Sequence, residues 1–523
     1  IVRGSITNYS AGNRVRQGVS GNLAAIKHYD VAVMGFGPTG AVLANLLAIC
    51  GLQVLVIERE PGIYPLPRAV HFDDETMRVF QTIGIADALR QKIRVNPGMR
   101  FVDGDGTLLL DWPRPQETTQ HGWNASYRFH QPDLEVLLRQ AVQSHPNITV
   151  KTEMELLRLG QKSDHVSLQC LADDSGLTSR MTASYVVGCD GARSSVRQAM
   201  GVSMENLGFR QSWLVVDVLL YREMPELGDH SVQFCDAERP MTYCRSPKNR
   251  RRWEITMQAG ESAGEMTDPE RVWQFLSRWI TPDDAQIERS VVYTFESALA
   301  ETWRKDRLLL AGDAAHLTPP FMGQGMCSGI RDAANLAWKL ALTLKGRGAS
   351  GLLDSYGQER SPHMRAYIET AIKLGYLINS IDGASGPAQA GDAADKSPKM
   401  ASIAPGLGGA AAVCFGIAPG QHTGRLFGQP LLVGGRRMDD LCGYRPVLIS
   451  RTPLPAAGGA SEPVSALGPV YLDAQSEPAL EAELSALQVN AVLVRPDRHI
   501  LATAETDAEI TALAGLKFPS PLG

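Results

Sequence analysis

No Cys-x-x-Cys pair occurs in the 523-residue sequence, and its eight cysteines, Cys50, Cys170, Cys189, Cys235, Cys244, Cys327, Cys414 and Cys442, stand singly. A disulfide framework or a structural zinc site would bunch them, so both are excluded as the basis of the fold. Scattered thiols in a reducing, cytoplasmic setting are the expectation, with no metal. Basic charge is not in excess either. Lys plus Arg is 51 against 56 for Asp plus Glu, a formal charge of −5, which argues against nucleic acid as the main ligand. No run approaches the ~20 apolar residues that cross a bilayer, and residues 1–27 lack an apolar core of signal-peptide length. No internal repeat is visible. What is there is a 44% hydrophobic chain, long enough at ~150 residues per domain for several globular units.

Residues 29–35 (YDVAVMG) form an apolar run ending in glycine, residues 38–50 have helical length, and residues 53–58 (QVLVIE) are a second apolar run. Strand, glycine turn, helix and strand make a right-handed βαβ unit on a parallel sheet. Helices are expected over 73–83 and 133–144, and β-rich runs between 165 and 187. From 213 to 295 short strand-like runs surround one helix near 269–279, which predicts a mostly antiparallel α+β platform. A buried strand returns at 308–312, followed by helices over 325–345 and 352–378, the latter expected to kink or restart at Pro362. The domain reading is a flexible tail (1–28), a first part of a dinucleotide-binding domain (29–206), a sheet domain (207–300), a second part of the first domain (301–380), a linker or mobile loop (381–412) and a third αβ unit (413–523).

Gly35-Phe36-Gly37-Pro38-Thr39-Gly40 fits G-x-G-x-x-G between a strand and a helix. The first glycine permits the turn, the second lets a pyrophosphate approach the backbone, and the third lets the helix pack on the strand. The helix N-terminus offers unpaired N–H groups to the phosphates. Glu58 follows Gly40 by 18 residues, where an acid binds a ribose 2′-hydroxyl, with Arg59 beside it. That fingerprint alone leaves NAD and FAD open. A second cluster, Arg307 to Gly325, turns the reading to FAD. Its strand delivers Gly312 and Asp313, whose carboxylate can accept hydrogen bonds from ribityl hydroxyls. Pro320 then leads to Gly323, Gly325 and Met326 at a helix start, whose amides can stabilise negative charge on a reduced flavin. A third cluster, residues 185–197, places Asp190 and Gly191 after another buried strand.

With these three clusters in that order, the sequence resembles the single-component FAD-dependent aromatic hydroxylases of the para-hydroxybenzoate hydroxylase class, nearest the 3-(3-hydroxyphenyl)propionate and phenol hydroxylase branch. Residues 67–76 (PRAVHFDDET) and 130–138 (HQPDLEVLL) look like family segments as well. The resemblance implies an α/β fold: a Rossmann-like FAD-binding domain, an α+β substrate-binding sheet domain and a C-terminal thioredoxin-like domain. It implies that Arg68 and Gln131 reach the cofactor and that Asp190 contacts FAD or the nicotinamide donor, unless it only caps a turn. It implies non-covalent FAD, with NADH or NADPH as a transient co-substrate. The reaction would hydroxylate a phenolic or electron-rich heteroaromatic substrate with O2 through a flavin C4a-hydroperoxide. The third domain, lacking a redox cysteine pair, would serve structure or homodimer contacts. Among platform and loop residues, His71, Gln233, Tyr243 and Pro320 are the candidates to touch substrate, while His316 reads as structural. The rival readings are a flavin oxidase or dehydrogenase on the same scaffold, and a non-catalytic FAD-binding redox sensor.

Overall fold

The computed structural model describes residues 26–172, 176–236, 238–346, 348–380, 403–453 and 469–516. The expected tail, apart from residues 26–28, and positions 381–402 of the expected linker lie outside those residues. The strand His28–Met34 runs between Val54–Ile57 and Thr178–Gly188, parallel to both. Leu308–Leu310 extends this sheet beyond Thr178–Gly188, and Ile148–Lys151 extends it beyond Val54–Ile57, again in parallel. These central strands are covered on both faces, which is why each reads as an unbroken apolar run. The order has a functional consequence. Three neighbouring parallel strands end at Gly35, at Asp190 and at Gly312–Asp313, so segments far apart in sequence emerge at one carboxyl edge, where open α/β sheets bind ligands.

The second sheet has eight strands in the order His316–Leu317, Ala285–Ala300, Met204–Leu220, Arg250–Thr256, Met241–Arg245, Ser231–Phe234, Gly98–Val102 and Leu108–Pro113. Its last two strands come from residues 98–113, outside the 207–300 segment read as the sheet domain. Gly98–Val102 joins by pairing in parallel with Ser231–Phe234. Helix Pro269–Leu276 covers one face, packing Val272 and Leu276 on Leu214, Val216, Trp253 and Ile255. The opposite face looks toward the first sheet.

Helix Asp354–Ser380 continues through Pro362 as one element rather than restarting. Tyr356, Glu359 and Arg360 before the proline and His363, Met364 and Ile368 after it are all buried, and that packing outweighs the ~3 kcal/mol an internal proline costs. The third unit is a four-stranded mixed sheet, Val470–Asp473, Val447–Ser450, Ala491–Val494 and Ile500–Ala504, with helices Pro478–Leu487 and Asp507–Ala514. It docks through buried ion pairs, Arg78 to Asp439 at 2.8 Å and Arg495 to Glu359 at 2.8 Å. The described end of the expected linker is packed as well. Helix Ala410–Cys414 buries Ala411, whose N–H donates to Glu359 Oε1 at 3.0 Å.

Candidate cofactor and substrate site

Gly35 has φ +99°, and a Cβ there would lie 2.4 Å from the Cys189 carbonyl oxygen. A Cβ on Gly40 would lie 2.1 Å from the Gly35 carbonyl oxygen, so both positions exclude any side chain. Gly37 differs: nothing lies within 4 Å of its Cβ position, and no side chain caps the helix Pro38–Ile49 that it precedes. Open space in front of uncapped N–H groups suits a pyrophosphate. Thr39 packs against the next motif, its Oγ1 2.8 Å from where a Gly312 Cβ would be. Glu58 accepts from Phe36 N–H at 2.7 Å and from Glu60 N–H at 2.9 Å, pinning the turn while each oxygen keeps a lone pair. Arg59 lies at the surface, 3.2 Å from Glu60.

Asp313 follows Gly312, which sits at φ +62°. Its carboxylate is open to solvent, yet it lies in a recess whose desolvation raises its pKa, with His316 and Arg68 opposing the shift. No described residue donates a hydrogen bond to it. The Arg68 guanidinium, exposed and stacked over Tyr64 at 5.0 Å, reaches the same recess. An open glycine cradle and an unbonded carboxylate at one sheet edge are what the phosphate and ribityl parts of FAD need, so the residues present fit that group.

Asp332, which the sequence reading passed over, holds this edge together. Fully buried on helix Gly325–Leu344, it accepts from Gly312 N–H at 2.9 Å and Arg360 Nε at 2.9 Å, and pairs with His316 Nε2 at 2.7 Å. Burial disfavours its charge, but His316, Arg360 and the Gly312 N–H outweigh that and hold its pKa below the usual range. Nothing in its local sequence signals the role, because its partners come from three separate elements.

Other expected contacts are occupied locally. Gln131 accepts from Arg68 N–H at 3.0 Å and Ala69 N–H at 2.8 Å, and donates to Glu135, so it positions the Arg68 loop. Asp190 accepts from Ser194 Oγ and from the N–H groups of Ser195 and Val196, capping helix Ser195–Met200. Pro320 opens a single turn to Met322, and Gly323 follows at φ +63°, where a Cβ would lie 2.9 Å from His71 Nδ1. Gly325 begins the long helix, with no side-chain cap, and Met326 is partly buried against the core.

His71 is buried. Its Nδ1–H donates to the Gly323 carbonyl at 3.3 Å, which leaves Nε2 to accept from Ser126 Oγ at 2.8 Å. Desolvation first, then Arg128, pushes its pKa down to about 3, so it is neutral at working pH and fixes the Gly323 turn. An unfolded histidine titrates at ~6.5, so this neutral form stabilises the fold fully above that pH. Stability is expected to fall by up to ~1.4 kcal/mol per unit as pH drops from 6.5 toward 3. Denaturant midpoints of wild type and His71→Gln across that range check it, the variant having the shallower slope.

Tyr243 requires a correction. Side chains alternate along a strand, and Tyr243 falls on the helix-covered face with Trp253, ring centroids 5.1 Å apart, away from the cofactor edge. Its hydroxyl is buried without a partner. Tyr243→Phe is therefore expected to leave FAD affinity unchanged and stability unchanged or up to ~1 kcal/mol higher, checked by flavin titration and thermal unfolding. Gln233 does lie on the inner face, but its amide donates to Phe234 and Met241 carbonyls and accepts from Thr242 Oγ1 at 2.6 Å.

The inner face approaches the first sheet at two places. On one side Arg252 donates to the Pro67 and Arg68 carbonyls, at 2.5 and 2.9 Å, while also binding Asp217. On the other, Trp213 meets Phe321 edge-on, centroids 5.9 Å apart. The row between these supports is Val291, Val215, Glu254, Thr242, Gln233, Phe101 and Leu110. It is a ceiling of four apolar and three polar side chains on the face turned toward the Arg68 loop and the Phe321–Gly323 turn.

Residues 28–371 match the FAD binding domain family. A probable NADH-specific resorcinol 4-hydroxylase of Rhodococcus jostii (strain RHA1) is 41% identical over 363 residues, 69% of this chain and 68% of that protein. The 3-(3-hydroxy-phenyl)propionate/3-hydroxycinnamic acid hydroxylase of Comamonas testosteroni is 37% identical over 359 residues, 68% of this chain and 60% of that one. The chain thus spans less than two thirds of that second relative. Among solved structures, the flavin-dependent monooxygenase PieE with FAD and substrate aligns with TM-score 0.77 at 20% identity, covering 94% of this chain and 98% of that one. Aklavinone-11 hydroxylase aligns with TM-score 0.73 at 23% identity, covering 93% and 98%.

Proposed function

The chain belongs to the FAD binding domain family, and from that premise we propose that it is an FAD-dependent monooxygenase using NADH and O2 to hydroxylate a small phenol. The observation that carries this reading is the shared edge where the open Gly37 turn meets the unbonded Asp313 carboxylate, facing a sheet row of mixed apolar and polar side chains. Both relatives compared above are named as hydroxylases of single-ring phenols, which favours that substrate class. Bound FAD would supply the redox chemistry, acceptance of hydride from NADH and activation of dioxygen, with one oxygen atom entering the ring and the other leaving as water.

The protein's own part is binding, orientation and exclusion of water. The N–H groups after Gly37 would hold the pyrophosphate, Glu58 the adenosine ribose and Asp313 a ribityl hydroxyl. The N–H groups opening helix Gly325–Leu344 would face the negative charge of the reduced ring. Val291, Val215, Phe101 and Leu110 would keep water from the ring edge, so that activated oxygen goes into product. The eight cysteines are all free, in keeping with a cytoplasmic location, and no helix among the described residues is long and apolar enough to cross a membrane. We further infer that the C-terminal unit is thioredoxin-like, from the β-β-α-β-β-α order of its described elements, and that it serves docking or homodimer contacts.

The test is NADH consumption by the FAD-loaded protein with resorcinol, 3-(3-hydroxyphenyl)propionate and a non-phenolic control. Stimulation by a phenol of ten-fold or more over the control is expected. Equal rates with every compound would overturn the reading.

A further inference from the structure

Within the ceiling row, one polar side chain keeps its acceptors open. Thr242 and Gln233 bond each other and the backbone, whereas Glu254 accepts no hydrogen bond from any described residue. Its nearest cation, Arg252 Nη1, is 3.7 Å away and is itself engaged by Asp217 at 2.7 Å and by the Pro67 and Arg68 carbonyls. The side chain is partly buried, 13% exposed, and stands in the middle of the row on the inner face.

Building on the monooxygenase reading, we propose that Glu254 is the catalytic residue that accepts the hydrogen bond of the substrate hydroxyl and takes its proton. The phenolic O–H bond breaks and the proton bonds to a Glu254 oxygen. The electron pair stays on the phenolic oxygen and enriches the ortho and para carbons for attack on activated oxygen. The proton returns to water when product leaves. Desolvation raises the Glu254 pKa against the pull of Arg252, toward the range useful to a base. Asp217 on the adjacent strand raises it further, while Arg128 and Arg289 oppose. Cys244 on the other adjacent strand lies in the same field and stays a neutral thiol, its pKa raised by burial. The surrounding guanidinium groups also favour the phenolate. The inference adds a specificity rule: an anionic substituent is repelled at this point, and a hydroxyl is selected.

The test compares wild-type, E254Q and E254D holoenzymes. Substrate affinity is read from the flavin absorbance change, flavin reduction by NADH from stopped flow, and hydroxylation from single-turnover product. E254Q is expected to bind phenol within about threefold of wild type and to reduce flavin at an unchanged rate. Its hydroxylation is expected to be slower by about 100-fold. The wild-type rate falls as pH drops through the raised Glu254 pKa, because the base is lost. That acid limb disappears in E254Q and returns, with partial activity, in E254D. Hydroxylation by E254Q within threefold of wild type, an acid limb kept, or loss of substrate binding each overturns the role while leaving the monooxygenase reading standing. A wild type that hydroxylates no phenol overturns both.

Discussion

Asp332→Ala is expected to yield a protein that no longer holds FAD and is destabilised by about 3–5 kcal/mol. Removing the carboxylate leaves the Gly312 N–H, His316 and Arg360 facing a void, all of them buried. An unpaired buried guanidinium carries most of that penalty, and the Gly312 N–H adds the cost of a lost partner. The Gly312–Asp313 turn loses its anchor at the same time, so the cofactor edge loosens as the fold weakens. Denaturant midpoint and retained flavin fluorescence read the two effects separately. A variant with the wild-type midpoint and full FAD would remove Asp332 from this account.

Asp313→Ala separates binding from folding. The Asp313 carboxylate makes no hydrogen bond within the described protein, so its loss is expected to change apo stability by less than ~0.5 kcal/mol. A hydrogen bond to a charged acceptor contributes ~1.5–3 kcal/mol, so FAD affinity is expected to fall about 10- to 150-fold. Fluorescence titration of apoprotein gives the dissociation constant, and thermal unfolding of the apoprotein gives the control. Unchanged FAD affinity would show that the carboxylate does not face the ribityl chain. The pair of substitutions is informative because Asp332 anchors the turn that carries Asp313, and only Asp332 is bonded to protein.

Local chemistry made the glycine turn readable: Gly40 and Glu58 act on Gly35 and Phe36 within one βαβ unit, and Gly35 has a positive φ, although the Cys189 carbonyl that also crowds it comes from a distant strand. The Gly312–Asp313 pair was picked out by its place after a buried strand, while the contacts that hold the turn, from Thr39 and Asp332, come from other elements. Tyr243 was misplaced because alternation tells which residues share a face but not which face meets the cofactor; that depends on the helix Pro269–Leu276 covering one side. The same alternation pairs Glu254 with Thr242 and Gln233, yet only the docking of Arg252 and Trp213 on the first sheet shows that this row is the roof. Strands Gly98–Val102 and Leu108–Pro113 carry no local sign that they complete a sheet begun a hundred residues later. Pro362 shows propensity yielding to burial. Asp332 was invisible for the most general reason, since its function is set by three groups that only the fold brings together.

This edge and its roof are proposed to direct oxygen into a phenol. The measurement that tests it most directly is product mass after turnover of the FAD-loaded protein with NADH, 18O2 and resorcinol or 3-(3-hydroxyphenyl)propionate. One labelled oxygen atom per hydroxylated product, with one NADH consumed for each, is the result expected. An unlabelled product, or NADH oxidised only to hydrogen peroxide with every phenol, would contradict the account and leave an oxidase in its place.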